Sequence, residues 1–179
     1  MVGHDLNNFF SAGDIFQLQS DGSFCLVCDC QSPKLDELIQ NNGFLLEEVV
    51  LLVNSTQMLT NHFRIHPRID TILEYHLRTI DLVIKDHLHE WENIKRPNGH
   101  LVVRLTRDPM LVNFINFTNR PGVLFVQTNS HEALSIDSNG LQDRFRLLAD
   151  HLISPKKNNA DFTVPLVSMD ENGELIFKS

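Results

Sequence analysis

FLLEEVVLLVNSTQMLTNHFRIHPRIDTILEYHLRTIDLVIKDHLHEWENIK, residues 44–95, is the stretch whose reading decides the fold. Leu45, Val49, Leu52, Thr56, Leu59 and Phe63 recur in steps of four and three, the spacing of one helix face. A second stripe runs through Ile69, Ile72, Leu73, His76, Ile80, Val83, Ile84, His87, Trp91 and Ile94. Pro67 disfavours helical geometry at His66, so the pattern predicts one helix ending there and another beginning. Gly43 before the stretch, and Lys95-Arg96-Pro97-Asn98-Gly99 after it, supply the stop signals. The second helix would be about 40 Å long at about 1.5 Å per residue. The spacing therefore predicts a helical hairpin over 44–96 as the central element of one domain spanning 1–179.

The hairpin is flanked by strand patterns. Residues 14–19 and 24–29 read as strands around the turn Ser20-Asp21-Gly22-Ser23. Ser32-Pro33 opens a helix that closes at Asn41-Asn42-Gly43, and residues 1–12 read as a loosely held arm or short strand. After Gly99 come a strand over 100–106, a short helix capped by Asp108-Pro109 and a compact strand over 123–127. A helical turn is expected at Ser130-His131-Glu132. A second cap at Ser138-Asn139 leads into Leu141, Phe145, Leu148 and Leu152. A polar loop over 156–161 precedes strands at 162–168 and 174–178, joined through Asn172-Gly173. Strands in hairpins at both ends predict an α+β fold. Its sheet is mainly antiparallel, of five to six strands, with the helical hairpin and shorter helices packed on it.

Composition narrows the function classes. The chain is 42% apolar with 12 Phe, enough for a core. A net charge of −8 argues against nucleic acid, whose phosphates need clustered Lys and Arg. The longest apolar run is Val49–Val53, far short of a membrane span, so no membrane insertion is expected. No secretion signal is visible, and the three cysteines make no disulfide framework. A cytoplasmic protein is expected. Asn54-Ser55-Thr56 and Asn116-Phe117-Thr118 match the glycosylation pattern only by chance on that reading.

No phosphate-cradling glycine loop, nucleophile elbow or dinucleotide fingerprint occurs, and no cofactor is expected. His62, His66 and Asp70 are spaced four apart and form the one candidate metal set. Pro67 interrupts them, so polar residues at a helix corner is the stronger reading and no metal is expected. His76 and His87, on the apolar stripe, read as core histidines donating to carbonyls. Alternation on a strand places Cys28 and Cys30 on one face and Cys25 on the other, three thiols acting as small apolar groups.

The leading functional reading is a non-enzymatic protein-binding module: an adaptor, secretion-type chaperone or assembly subunit. Its partner would be another protein or a second copy of the chain. Trp91 at the end of the long helix, and Met110, Phe114 and Phe117 on the short helix after Asp108, are the candidate partner-binding residues. The competing reading is that the hairpin at 162–178 closes over Phe114 and Phe117. The alternatives are a metal-dependent or histidine-using hydrolase and a small-ligand sensor domain. Leu73 lies on the second stripe, and Leu73→Ala should cost about 2–5 kcal/mol of stability. Urea unfolding checks this, and an unchanged midpoint would remove the stripe from the core.

Overall fold

Val49–Val53, the run Val-Val-Leu-Leu-Val, is buried at every position. A strand can satisfy that pattern only with cover on both faces of its sheet. The computed structural model describes residues 13–20, 23–41, 44, 46–85, 89–126, 145–153, 164–170 and 172–178. In chain order the elements are β1 (Phe16–Ser20), β2 (Ser23–Asp29), α1 (Leu35–Asn41), a 3-10 turn (Leu46–Glu48), β3 (Val49–Val53), α2 (Thr56–His62) and α3 (Pro67–Tyr75). They continue with β4 (Ile80–Lys85), β5 (His100–Leu105), α4 (Pro109–Thr118), β6 (Gly122–Val126), β7 (His151–Leu152), β8 (Leu166–Met169) and β9 (Leu175–Lys178).

The described strands form one sheet in the order β7-β1-β2-β6-β3-β5-β4-β8-β9. It is mixed: β1/β7, β3/β5 and β4/β8 pair parallel, and the other neighbours pair antiparallel. Each face carries its own core. On one face Leu51, Val53, Val103, Leu82 and Phe125 pack with Leu35 and Leu38 of α1, Leu59 of α2, and Ile69 and Leu73 of α3. On the other, Val50, Leu52, Val27 and Leu124 pack with Leu111, Phe114 and Ile115 of α4. The result is three layers.

Local chemistry fixes the helix ends. Ser55 caps α2, its side chain accepting from the Met58 N–H. His66 caps α3 by accepting from the Arg68 N–H, with Pro67 at the first turn. Asp108 caps α4, accepting from Met110 and Leu111, and Asn119 closes it in the left-handed region at φ 54°. Gly122 lets α4 sit close to the sheet, since a Cβ there would lie 3.3 Å from a Phe114 ring carbon and 3.4 Å from Leu52.

The expected helical hairpin over 44–96 is corrected. Its first half holds a 3-10 turn, a strand and a seven-residue helix, and its second half holds α3, a strand and a turn around Trp91. A continuous apolar run fills the helical template and the strand template alike, and burial on both faces decides for the strand. Ile80–Lys85 was harder to read because Asp81 interrupts it. That carboxylate stands opposite Arg104 in the β4/β5 register and accepts from its Nε at 2.7 Å and its Nη2 at 2.9 Å. The expected α+β sheet of five to six antiparallel strands is likewise a nine-stranded mixed sheet with short helices on both faces. Of the helix expected to reach Leu152, residues 145–148 are helical, while His151 and Leu152 pair with β1.

Other expectations lie outside the described residues. They are the arm at 1–12, the turn at 130–132, the cap at 138–139 with Leu141, the loop at 156–161, and His87. His76 ends α3, its backbone N–H donating to Ile72, and its buried Nε2 meets no hydrogen-bond partner among the described residues. No helix among those residues is long and apolar enough to cross a membrane.

The Asp81 and Arg104 side chains are 12% and 9% exposed, so removing Asp81 takes a two-bonded carboxylate partner from a buried guanidinium. Asp81→Ala is expected to cost about 3–5 kcal/mol. Asp81→Leu combined with Arg104→Met should recover most of that loss. Chemical unfolding of the single and double variants measures both, and a harmless Asp81→Ala would show the pair to be dispensable.

Candidate functional site

At the end of the sheet where β2 and β3 finish and β6 begins, the strands leave an open cleft of about 810 Å³. Cys30 and Gln31 follow β2, Asn54 and Ser55 follow β3, and Asn119, Arg120 and Pro121 precede β6. Gln57, Met58, Asn61 and His62 of α2 form one wall, and the turn at 90–94 forms another. Strand ends and helix ends converge here because the backbone must leave the sheet, which is also where α/β folds place ligand sites.

Trp91 supplies the aromatic surface. It is half-buried, stacks on Phe63 at 6.4 Å between ring centres, and meets His62 in a T-shaped contact at 5.5 Å. His62 Nδ1 is 3.0 Å from Glu90 Oε2, which joins α2 to the turn. The remaining lining is rich in amides. Asn93 donates to Asp36 at 2.7 Å, and Asn54 donates to Asn116 at 2.8 Å. The side chains of Gln57, Asn61 and Asn119 make no hydrogen bond to another described residue, and each amide carries both donors and an acceptor.

Charge in the cleft is nearly balanced. Arg120 donates to Gln31 Oε1 at 2.7 Å and lies 3.5 Å from Asp29 Oδ2, so its guanidinium is partly committed. Glu92 is held below the usual carboxylate range, first by the hydrogen bond from Lys95 and then by His89. Burial, reinforced by the neighbouring Asp29 carboxylate, pushes the Cys30 thiol up to about 12. Burial raises the Cys28 thiol as well. A thiol so raised stays protonated at neutral pH and is a poor nucleophile.

The expected site residues fall in separate places. Trp91 lines the cleft, on the face covered by α1–α3. Phe114 is buried on the opposite face beneath β1, with its ring edge against Phe16 at 5.5 Å. Met110 and Phe117 are half-buried on α4, and Phe16 of β1 meets the Phe114 ring, with Leu166 of β8 packed against the same cluster. His62 ends α2 and faces Glu90, whereas His66 caps α3 after an extended connection, so the two histidines and Asp70 do not share one helix. No group of three or more His, Cys, Asp or Glu able to hold a metal occurs among the described residues. Asn54, Gln57, Asn61 and Asn119 escaped sequence reasoning because amides at element ends have no diagnostic spacing. The available signal was Asn54-Ser55-Thr56 directly after a five-residue apolar strand.

Because Cys30 is held protonated, its alkylation by iodoacetamide at pH 8 is expected to run at least about a hundredfold slower than that of an ordinary exposed thiol. The rate should rise steeply as the pH approaches 12. Mass-spectrometric mapping of the labelled peptide reads this, and fast labelling at pH 8 would contradict it.

No family model matches the sequence, and no curated protein is significantly similar to it. Solved structures are similar in fold. Full-length HypF in its phosphate- and nucleotide-bound form superposes with a TM-score of 0.69 at 13% identity, over 92% of this chain and 26% of that one. E. coli YciO gives 0.66 at 9% identity, over 89% of this chain and 80% of that one. P. abyssi Sua5 complexed with L-threonine gives 0.67 at 11% identity, over 88% and 47%. The chain thus spans about a quarter of the HypF protein and about half of Sua5. These matches correct the expected adaptor or secretion chaperone built on a helical hairpin: the fold is the mixed-sheet fold seen in HypF and Sua5 structures.

Proposed function

We propose that this domain binds a small neutral or zwitterionic molecule, of amino-acid or nucleoside size, in the cleft beside Trp91. The observation that carries the reading is the lining: amides at Gln57, Asn61 and Asn119, unbonded to other described residues, around an aromatic surface, with few charges. Amides donate and accept at once, so they suit ligands bearing hydroxyl, amide or ammonium–carboxylate groups. The volume of about 810 Å³ falls within the range of small-molecule sites.

Two similar structures lend this reading support, one holding L-threonine and the other a nucleotide and phosphate. The present cleft favours the uncharged end of that range. A polyphosphate placed here would meet Glu90 and Glu92 and find Arg120 already engaged with Gln31. Burial raises the Cys30 thiol beside the cleft, so the reading rests on the binding groups and not on that thiol as a nucleophile.

Thermal unfolding with L-threonine, adenosine or ATP at about millimolar concentration tests the proposal. L-threonine or adenosine should raise the midpoint, and ATP should do no better than adenosine. Asn61→Leu, on an exposed position, should weaken the binding about tenfold, since one lost hydrogen bond is worth about 1–1.5 kcal/mol. No shift with either neutral probe, or greater stabilisation by ATP than by adenosine, would sink the proposal.

A further inference from the structure

β9 closes one edge of the sheet, and no described strand lies outside it. Its Ile176 and Phe177 are 40% and 61% exposed, and neither proline nor charge interrupts Leu175-Ile176-Phe177. Such an edge is a template for another strand. At the opposite edge, β7 has only two residues.

The hairpin fixes which backbone groups face outward. The Asp170 N–H donates to the Glu174 carbonyl at 2.9 Å, and the Gly173 N–H donates to the Asp170 carbonyl at 3.1 Å. Gly173 takes φ 77° there. Asp170 and Glu174 are therefore the closing hydrogen-bonded pair. Antiparallel alternation then makes Met169/Leu175 and Val167/Phe177 pairs that exchange no hydrogen bonds. The N–H and C=O groups of Leu175 and Phe177 consequently point away from β8, into the open edge.

We propose that a second copy of this chain pairs antiparallel along β9, about a two-fold axis at Ile176. In that register Leu175 of each copy faces Phe177 of the other, and each such pair exchanges two N–H···O bonds through the outward groups. Ile176 meets Ile176 across the axis. Glu174 of each copy faces Lys178 of the other. Both side chains are exposed, and neither has an ion-pair partner among the described residues.

The sequence Glu-Leu-Ile-Phe-Lys selects this arrangement among the alternatives. In-register parallel pairing would set Glu174 against Glu174 and Lys178 against Lys178. Sliding the antiparallel register by two residues would place Ile176 opposite a charge and leave the ion pairs unmade. Opposite charges facing across a strand pair are favourable and like charges are not. The joint is two-fold and closed, so it gives a dimer and not a fibre. A strand-sized contact lies well below about 1,200 Å², in the range of weak complexes, so assembly is concentration-dependent.

Sedimentation across a concentration series tests the joint with charge variants of the full chain. Lys178→Glu and Glu174→Lys alone should each remain folded by circular dichroism and lose dimer, with the dissociation constant rising at least tenfold. An equimolar mixture of the two should restore dimer, because one copy then carries only carboxylates at these positions and the other only ammonium groups. The double variant Glu174→Lys/Lys178→Glu should dimerise alone. Ile176→Thr, at the exposed centre, should weaken every one of these dimers. A parent chain that stays monomeric at all concentrations would overturn the proposal. So would single variants that keep the parent's association, or a mixture that stays monomeric.

Discussion

The constraint from which the rest follows is that β3 must be dry on both sides. All five of its residues are buried, and its neighbours β5 and β6 are nearly so. Three adjacent strands with two apolar faces leave the chain only one class of solution, a sheet between helical layers. Among the described residues, α1, α2 and α3 cover one face, and α4 packs on the other with Leu111, Phe114 and Ile115. α4 is apolar around more than half its surface, as its sequence Pro-Met-Leu-Val-Asn-Phe-Ile-Asn-Phe-Thr shows. At Gly122, any side chain would press on Phe114 and Leu52.

A dry centre restricts where polarity can go. The one charged pair within the central strands is neutralised by two parallel hydrogen bonds between opposed residues of β4 and β5, so neither charge faces the core unpaired. Polarity is otherwise displaced to the ends of the strands. Asn54, Gln31 and Arg120 each lie just beyond a buried strand. The cleft is thus the consequence of the dry sheet: backbone that leaves it must bond to side chains, and amides serve that need and a ligand's equally well.

Hairpins and caps were legible in the sequence because their signals are local. Asp108-Pro109 starts α4, Asn172-Gly173 turns β8 into β9, and Ser20 to Ser23 joins β1 to β2. The error at 44–96 has an equally physical cause. Val49–Val53 satisfies helical spacing because it satisfies any spacing, and its length of five residues was the better guide. Ile80–Lys85 was masked by Asp81, whose partner lies 23 residues away and is invisible to any local window. The parallel pairings of β3 with β5 and β4 with β8 join distant segments and leave no local mark either. Of the cleft, the sequence marked Trp91 as a partner-binding residue, His62 as part of a weak candidate metal set, Cys30 as an apolar thiol and Asn54 as a chance glycosylation match. What unites Trp91 and His62 is Glu90 and Phe63, brought together by the fold and not by spacing.

The cleft and the β9 edge also occupy different parts of the sheet. Four strand steps separate β3 from β9, roughly 20 Å at about 4.8 Å each. A second copy at β9, as proposed, would extend the sheet sideways and leave the ends of β2 and β3 open. The strands between them form a continuous hydrogen-bonded ladder whose central members are packed on both faces, and such a core resists graded deformation. Coupling between the two places would need an element with two discrete arrangements along that path. The proposed ligand binding would thus be set by side chains at strand ends, and the proposed association by the backbone of an edge.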